Sequence, residues 1–251
     1  MNIKISLITV TYQSGDTLQM TIDSVRKQKY PNIEYIIVDG GSTDGTLDII
    51  QQNQEVVDNW ISEPDQGIYD AMNKGFELAS GDIVGFLHGD DVLASPRILE
   101  MVFQRYRESS FHLLYGDLEY VRPEDERRVV RYWRSGSFRY RQLQRGWMPP
   151  HPTVYVDRRF FQRVGHYNLD FRISADYEWL LRAFSQPSAK VEYLPEVMVR
   201  MRLGGVSNSS LKNLVVKSME DFKALRDNEV GGVATLFMKN ASNVSQFIRR
   251  N

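Results

Sequence analysis

Short apolar runs alternate with segments of helical spacing in the first half of the chain. Runs rich in β-branched residues predict strands, at 3–10, 33–39, 57–62 and 83–88. After each run, apolar residues recur three or four positions apart and predict helices, at 18–25, 43–52, 68–79 and 96–107. Four strand and helix units in succession are typical of an α/β fold with a mainly parallel sheet, in which ligands bind beyond the carboxyl ends of the strands.

The pattern changes after residue 115. Two apolar runs bracket a polar turn and predict a β-hairpin, 118–121 with 129–133. Further along, the spacing predicts short strands at 153–156 and 191–194, and helices at 175–184, 211–225 and 233–248. The segment 146–152 contains one glycine and three prolines, so we expect no helix there.

The composition is that of an ordinary globular protein, with 42% hydrophobic and 25% charged residues among 251. The chain has no cysteine, which excludes disulfides, thiolate metal sites and cysteine nucleophiles. A net charge of −1 lacks the overall basicity of a nucleic-acid-binding protein, so we expect no nucleic-acid partner. The first apolar run resembles a core strand more than a signal peptide, and no run is long enough to span a membrane. We therefore expect a cytoplasmic chain in which the sequons at 208, 240 and 243 are unused.

The second predicted strand ends in a carboxylate, Asp39, which is followed by glycines and a helix. An aspartate at this position can accept hydrogen bonds from a ribose or a base, and the glycines let a ligand approach the backbone. The glycine spacing matches neither a dinucleotide fingerprint nor a P-loop. A tight turn in which Thr43 and Asp44 cap the next helix is the alternative interpretation.

Two adjacent carboxylates, Asp90 and Asp91, follow the fourth predicted strand, immediately after His88 and Gly89. Neighbouring carboxylates repel each other unless a cation or hydrogen-bond donors compensate them, so a divalent ion is one explanation for the pair. Capping of the following turn is the other.

A third polar segment surrounds the start of the predicted helix 68–79. Asp70, Asn73 and Lys74 share one helix face, and Asp65 precedes it by one turn. This arrangement favours nucleotide contact, with a solvated helix face as the alternative.

The fourth feature is a carboxylate, Asp176, at the start of a strongly apolar helix. Burial raises the pKa of such a group and a helix N-terminus lowers it, and this opposition suits a general base. Helix capping is the alternative, although Ser174 is the expected cap.

Taken together, these segments resemble the family 2 glycosyltransferases of the GT-A fold, in particular the bacterial enzymes that build exopolysaccharide and O-antigen chains. The resemblance covers residues 3 to about 207, with the matching words ITVTYQ, IIVDGGSTDGT, EPDQGIYDAMNKG, SGDIVGFLHGDD, ISADYEW and LGGVS. It implies a Rossmann-like, mainly parallel sheet flanked by helices, with an added hairpin and C-terminal helices. The implied division is a domain at 1–205, with a nucleotide-sugar half at 1–117 and an acceptor half at 118–205, and a helical extension at 206–251.

The same resemblance implies residue roles. Thr11, Tyr12 and Asp39 are expected to hold the nucleoside, and Asp65 and Lys74 to flank the base and phosphates. Asp90 and, less clearly, Asp91 correspond to the acidic metal-binding motif, in which His88 occupies a position that is often Asp, Asn or Ser in relatives. Asp176 corresponds to the catalytic base.

The implied reaction is an inverting transfer of a sugar from a nucleotide-diphosphate sugar, commonly a UDP-sugar, to an acceptor hydroxyl in surface polysaccharide synthesis. A divalent cation, Mn²⁺ or Mg²⁺, is expected to assist it. A non-catalytic nucleotide-sugar-binding protein of the same fold is the competing hypothesis, and a sugar-nucleotide pyrophosphorylase is disfavoured because no basic, glycine-rich triphosphate loop is seen.

The acceptor side is less defined in the sequence. Residues 122–145 contain eight arginines against three acidic residues, and the C-terminal helices carry further basic residues, including Arg249 and Arg250. These features suggest a lipid-pyrophosphate-linked acceptor and peripheral contact with the inner face of the cytoplasmic membrane, or simply a solvated basic face. His151 is a candidate for the acceptor cleft, and 204–207 for a lid over the donor.

Overall fold

The computed structural model describes residues 3–203 and 211–248, with side chains except at 126, 127, 211 and 242–248. Its strands are β1 (Ile5–Thr11), β2 (Ile33–Asp39), β3 (Asn59–Ser62), β4 (Ile83–His88), β5 (Val92–Leu93), β6 (Leu113–Arg122), β7 (Asp125–Trp133), β8 (Tyr155–Asp157) and β9 (Val191–Arg202). Its α-helices are α1 (Leu18–Arg26), α2 (Thr46–Gln52), α3 (Ile68–Leu78), α4 (Ile98–Ser109), α5 (Arg158–Val164), α6 (Ala175–Phe184), α7 (Leu211–Asp227) and α8 (Val233–Ile248). Two 3₁₀ turns occupy Tyr140–Arg145 and His151–Thr153.

All nine strands of the described chain join one sheet, in the order β3-β2-β1-β4-β8-β6-β9-β5, with β7 paired to β6. The first four neighbours, β3, β2, β1 and β4, are parallel, as the sequence predicts. The second half is mixed, because β8 is antiparallel to β4 and β6 whereas β9 is parallel to β6. The α/β class and the added β6–β7 hairpin are therefore confirmed.

Alternation along the strands sends side chains into two apolar layers, one on each face of the sheet. Ile36 and Val38 join the layer that contains residues of α3 and α6. Tyr35 and Ile37 join the layer that contains residues of α1 and α4. This burial on both faces explains why the first strands read as continuous apolar runs.

Some local predictions differ from the structure. The segment 146–152 was expected to be free of helix, yet a single 3₁₀ turn begins at His151, where the fixed backbone of Pro152 is compatible with the first turn. Helix α5 has no counterpart among the predictions; it is capped by Asp157, whose side chain accepts a hydrogen bond from Phe160 N.

The expected division between the two halves at residue 117 falls within β6, so both halves share the sheet. The expected boundary at 205, the lid at 204–207 and the pair Arg249 and Arg250 lie outside the described residues. Within the described ranges, no helix combines the length and apolar composition that crossing a bilayer requires.

Candidate active site at the carboxyl rim of the sheet

Three neighbouring strands end at the same level and bring their loops together. Thr11 at the end of β1 lies opposite Asp39 of β2, and Val10 lies opposite His88 of β4. Backbone hydrogen bonds continue past the strands, from Gly40 N to Thr11 O and from Gly89 N to Val10 O. The predicted donor-side residues on these loops therefore share one rim.

Asp39 is fully buried and its carboxylate faces its own loop. Oδ2 accepts hydrogen bonds from Gly41 N at 3.1 Å, Ser42 N at 2.9 Å and Ser62 Oγ at 2.6 Å, while Oδ1 accepts one from Ser42 Oγ at 2.5 Å. Asp39 thus fixes the shape of the loop that follows β2 and ties it to the end of β3.

Tyr12, Gly40 and Asp65 meet beside this loop. A Cβ added to Gly40 would lie 2.6 Å from Asp65 Oδ2 and 3.3 Å from Tyr12 Cδ2, so the close approach requires glycine. Asp65 Oδ1 accepts a hydrogen bond from Gly67 N, whose residue has a positive φ of 114°. The ring of Tyr12 is 63% exposed and offers a flat face at the rim.

Lys74 on α3 lies among acidic side chains. Its Nζ is 2.8 Å from Glu63 Oε1 and 3.2 Å from Asp70 Oδ2, and the hydrogen bond to Glu63 is the main reason that the pKa of Lys74 is raised. Asn73, grouped with it in the sequence, instead exchanges hydrogen bonds with the backbone of Tyr167. The residues of the expected polar helix face therefore make two separate sets of contacts, one to acidic side chains and one to the backbone of a distant loop.

His88 ends β4, two residues before Asp90, and its ring stacks on that of His151. Burial lowers the pKa of His88, whereas the charges of Asp90 and Asp176 both act in the opposite direction. Asp90 follows β4, and Asp176 comes from the first turn of α6, so two distant parts of the sequence act on one imidazole ring.

The Asp176 carboxylate is held by a tyrosine of α3. Tyr69 Oη lies 3.0 Å from Asp176 Oδ1 and 2.6 Å from Ile173 O, so its proton is shared between the two acceptors. Burial raises the pKa of Tyr69, with Asp176 adding to the effect, so the hydroxyl stays a donor. Asp176 itself is half-buried.

His151 packs beside His88 in the interior of the protein. Its ring stacks on those of Phe86 and His88, each with centroids 6.2 Å apart, and its Nε2 lies 2.8 Å from Tyr167 Oη. Burial lowers the pKa of His151 to about 4. The imidazole is thus a fixed, buried part of the cleft on the side of α6.

This arrangement of loops belongs to a recognisable sequence family. The family model described as "Glycosyl transferase family 2" matches residues 6–168. The chain belongs to the family 2 glycosyltransferases. Its match spans β1 to α5 and therefore includes the loops that follow β1, β2 and β4.

Curated relatives of this glycosyltransferase come from bacteria and archaea. A PGL/p-HBAD biosynthesis glycosyltransferase of Mycobacterium tuberculosis is 33% identical over 220 residues, which cover 85% of this chain and 83% of the relative. Glycosyltransferase AglE of Haloferax volcanii is 28% identical over 187 residues, covering 71% of this chain and 60% of the relative.

Solved structures confirm the GT-A fold of the glycosyltransferase. Staphylococcus aureus TarS 1-349 in complex with UDP-GlcNAc superposes with a TM-score of 0.67 and 17% identity, covering 91% of this chain and 66% of that one. The mannosyltransferase PcManGT from Pyrobaculum calidifontis, in complex with GDP-Man and Mn²⁺, has a TM-score of 0.66 and 16% identity, covering 97% and 71%. A longer structure of TarS is also similar, and this chain spans 43% of its length.

Asp91 and its neighbours offer acidic oxygens for a cation in the glycosyltransferase. Asp91 is fully buried and neither carboxylate oxygen has a hydrogen-bond partner of normal length. Burial raises the pKa of Asp91 well above its usual range, Asp90 adds to this, and Arg202 opposes it. A buried carboxyl without a side-chain partner, next to a second aspartate, fits a hard cation that would take its remaining ligands from phosphate oxygens. Within the described residues, no group of three or more metal-ligating side chains is assembled by the protein alone.

Two contacts around the start of α6 in the glycosyltransferase were not predicted. Glu220 of α7 accepts hydrogen bonds from the backbone N–H groups of 172–174, the segment that leads into α6. Lys239 of α8 is buried, pairs with Asp221 at 2.5 Å and lies 3.4 Å from the centre of the Tyr177 ring. No sequence spacing links α7 and α8 to α6, so only the fold could reveal these contacts.

Ser174 does not act as the expected side-chain cap of α6 in the glycosyltransferase. It occupies the N-cap position, but its hydroxyl makes no capping hydrogen bond. The backbone before the helix is instead held by Glu220, whose charge also suits the positive end of the helix dipole. The expected capping bond is therefore missing, and Glu220 instead holds the backbone that leads into the helix.

Proposed function

We propose that the chain is an inverting glycosyltransferase that moves a sugar from a nucleotide-diphosphate sugar, most simply a UDP-sugar, to an acceptor hydroxyl in bacterial surface glycan synthesis. The observation that carries the proposal is a series of contacts that links the end of β4 to the start of α6. His88, two residues before Asp90, stacks on His151, and His151 bonds Tyr167, which stacks on the tyrosine that holds Asp176. An acid suited to the donor phosphates and an acid suited to the acceptor therefore lie at the two ends of one cluster of rings. The ligands bound in the TarS and PcManGT structures, UDP-GlcNAc and GDP-Man, support this donor class.

Residues 1–117 provide the donor half in this proposal. The exposed ring of Tyr12 offers a stacking face for the base, next to the opening at Gly40. Thr11, whose buried Oγ1 lacks a partner, and Asp39, which shapes the adjoining loop, contact the nucleoside. Asp65 and Lys74 flank the base and the phosphates.

Asp90 is the main cation ligand of the proposed site, with Asp91 and His88 beside it. When bound, Mn²⁺ or Mg²⁺ supplies electrostatic stabilisation of the diphosphate leaving group. The protein contributes the carboxylates and a buried environment in which that stabilisation is strong.

Asp176 serves as the general base in the acceptor half, residues 118–205. An acceptor hydroxyl must lose its proton as it attacks, and one carboxylate suffices for this because a diphosphate leaves without protonation. Attack from the side opposite the nucleotide inverts the anomeric centre. Tyr69 keeps the Asp176 carboxylate in one orientation through the 3.0 Å hydrogen bond.

The acceptor is proposed to be a saccharide on a lipid pyrophosphate, met at the inner face of the cytoplasmic membrane. An apolar surface between α7 and α8 supports this, with exposed Leu214, Val215, Met219, Val233 and Phe237. The turn Tyr140–Arg145 packs against α8 and adds exposed arginines that complement an anionic surface. Co-sedimentation should show binding to anionic vesicles and none to zwitterionic vesicles; equal binding or none at low salt would contradict this contact.

The decisive experiment for the transferase is a panel of UDP-, GDP- and dTDP-sugars with Mn²⁺ or Mg²⁺. We expect one donor to raise the thermal midpoint and to release free nucleotide faster with enzyme than without it. A donor that binds tightly but is never turned over, with or without saccharide acceptors, would favour the non-catalytic nucleotide-sugar-binding protein instead.

A further inference from the structure

Glu220 holds a stretch of backbone that belongs to a distant part of the chain. Its Oε1 accepts a hydrogen bond from Arg172 N at 2.9 Å, and its Oε2 accepts bonds from Ile173 N at 2.8 Å and Ser174 N at 2.9 Å. Hydrogen bonds to an ionised carboxylate are stronger than those between neutral groups. One side chain of α7 therefore fixes three consecutive residues that end at the N-cap of α6, immediately before its first residue.

Tyr69, the tyrosine that bonds Asp176, holds residues 172–174 from the other side. Ile173 donates its N–H to Glu220 and offers its carbonyl oxygen to Tyr69 Oη, which also bonds Asp176. Asp176 lies two residues beyond Ser174, in the first turn of α6. Its position along the cleft consequently depends on where Glu220 and Tyr69 place the backbone that precedes it.

A second set of contacts, next to Glu220, joins α7 to α8 and α6. Asp221, next to Glu220, is buried and pairs with Lys239 of α8, and Lys239 packs on Tyr177, next to Asp176. The two C-terminal helices thus contact α6 at adjoining points. A displaced α7 would move the start of α6 with it.

We infer that Glu220 is a positioning residue for the reaction: by fastening the backbone of 172–174, it sets the position of the Asp176 carboxylate. The inference rests on the proposed function, because it assumes that Asp176 is the base. Small displacements of a catalytic group reduce the rate of the chemical step much more than they reduce binding of the donor.

Three variants test the inference: Glu220→Gln, its combination with Asp176→Asn, and Asp227→Asn. The last removes an acid of the same helix that only pairs with Lys223 at the surface, and it serves as the matched control. We expect Glu220→Gln to lower kcat about tenfold with the donor KM within twofold, because an amide oxygen cannot accept all three bonds. In the Asp176→Asn background the same change should have no further effect on the residual rate.

Hydrogen exchange gives a readout that does not need turnover. Amides of 172–174 should exchange at least tenfold faster in Glu220→Gln than in the wild type or in Asp227→Asn, at temperatures where all three are folded. If the wild type is active, two results would overturn the inference while leaving the proposed function intact. One is an unchanged kcat in Glu220→Gln, and the other is additive losses of kcat in the double variant. A wild type inactive with every donor would instead refute the proposed function, and unchanged exchange would refute the grip itself.

Discussion

The hydroxyl of Tyr69 lies 3.0 Å from Oδ1 of Asp176, although the two residues are separated by 107 positions in the sequence. This contact joins a helix of the donor half to the first turn of α6. It fixes a half-buried carboxylate that otherwise has freedom to rotate about its side-chain bonds.

Tyr69→Phe removes this hydrogen bond and keeps the ring. We expect kcat to fall about fivefold to tenfold, in line with the loss of one hydrogen bond of ~1 kcal/mol, with the affinity for UDP within twofold. Steady-state kinetics and calorimetric titration measure the two quantities. Tyr140→Phe, at an exposed tyrosine, should leave both unchanged; a tenfold loss of UDP affinity in Tyr69→Phe would contradict a role on the acceptor side.

Asp176→Asn removes the proposed base while preserving its shape. A general base contributes about 10²–10⁴-fold, so transfer should fall by at least 10²-fold, whereas UDP should bind as in the wild type. Asp170→Asn, at an exposed acid of the preceding loop, is the control. Retention of more than about a tenth of the wild-type rate would assign the base to another residue.

Asp90→Ala removes the main proposed cation ligand. In the wild type we expect Mn²⁺ to tighten UDP binding about tenfold or more, and in the variant we expect this enhancement to vanish. Titration of UDP with and without Mn²⁺ measures it, with Asp48→Ala on the surface of α2 as the control. Equal enhancement in the wild type and Asp90→Ala would exclude Asp90 as a ligand.

Gly40→Ala places a methyl group 2.6 Å from Asp65 Oδ2. Asp65 or Tyr12 must move, at a cost of about 1–3 kcal/mol, and we expect UDP affinity to fall about tenfold. Gly232→Ala, where an added Cβ meets nothing within 4 Å, is the matched control. UDP affinity equal to that of the control would mean that the Tyr12 and Asp65 pocket does not contact the nucleotide.

Glu34 gives the protein an acid-sensitive stabilisation that is independent of the site. Burial acts to raise its pKa, but hydrogen bonds from Ser6 and Ser80 and the charge of Lys4 bring the pKa below the ordinary value of 4.5. Because the folded pKa is lowered, the contribution is complete above the unfolded pKa and is lost as the pH falls through the folded pKa.

Glu34→Gln should therefore lower the free energy of unfolding by about 1–2 kcal/mol at pH 7, and the difference from the wild type should shrink as the pH falls below about 4.5. Urea unfolding at a series of pH values measures the difference. Glu108→Gln, at an exposed acid on α4, should show no such dependence. A difference that stays constant from pH 7 to pH 3 would show that the charge of Glu34 plays no part.

The sequence predicts the donor half well because its signals are local. β-Branched runs, helical spacing and polar residues at strand ends are each confined to a few neighbouring positions, and the parallel sheet then places Thr11, Asp39 and His88 at one level. The sequence does not predict the direction in which each of these side chains faces. Asp39 was expected at the rim and is found there, but its burial among Gly41, Ser42 and Ser62 depends on the folded loop.

The surroundings of Asp176 were less predictable because their contacts join distant segments. Glu220 reaches residues 46 to 48 positions earlier, and Asn73 bonds Tyr167 across 94 positions. No periodic pattern encodes such pairs. The same holds for Ser174, which makes no local capping bond although the backbone at this junction is held by a carboxylate from another helix.

The parallel pairing of β6 with β9 also bears on synthesis of the chain. β6 is complete once residue 122 has been made, but its partner along Leu113–Val121 comes only with residues 191–202. Until then, a nascent chain carries a strand edge with unpaired amide and carbonyl groups next to a largely assembled parallel sheet. Fragments that stop before residue 191 should consequently be prone to self-association, even though they contain every donor-side residue.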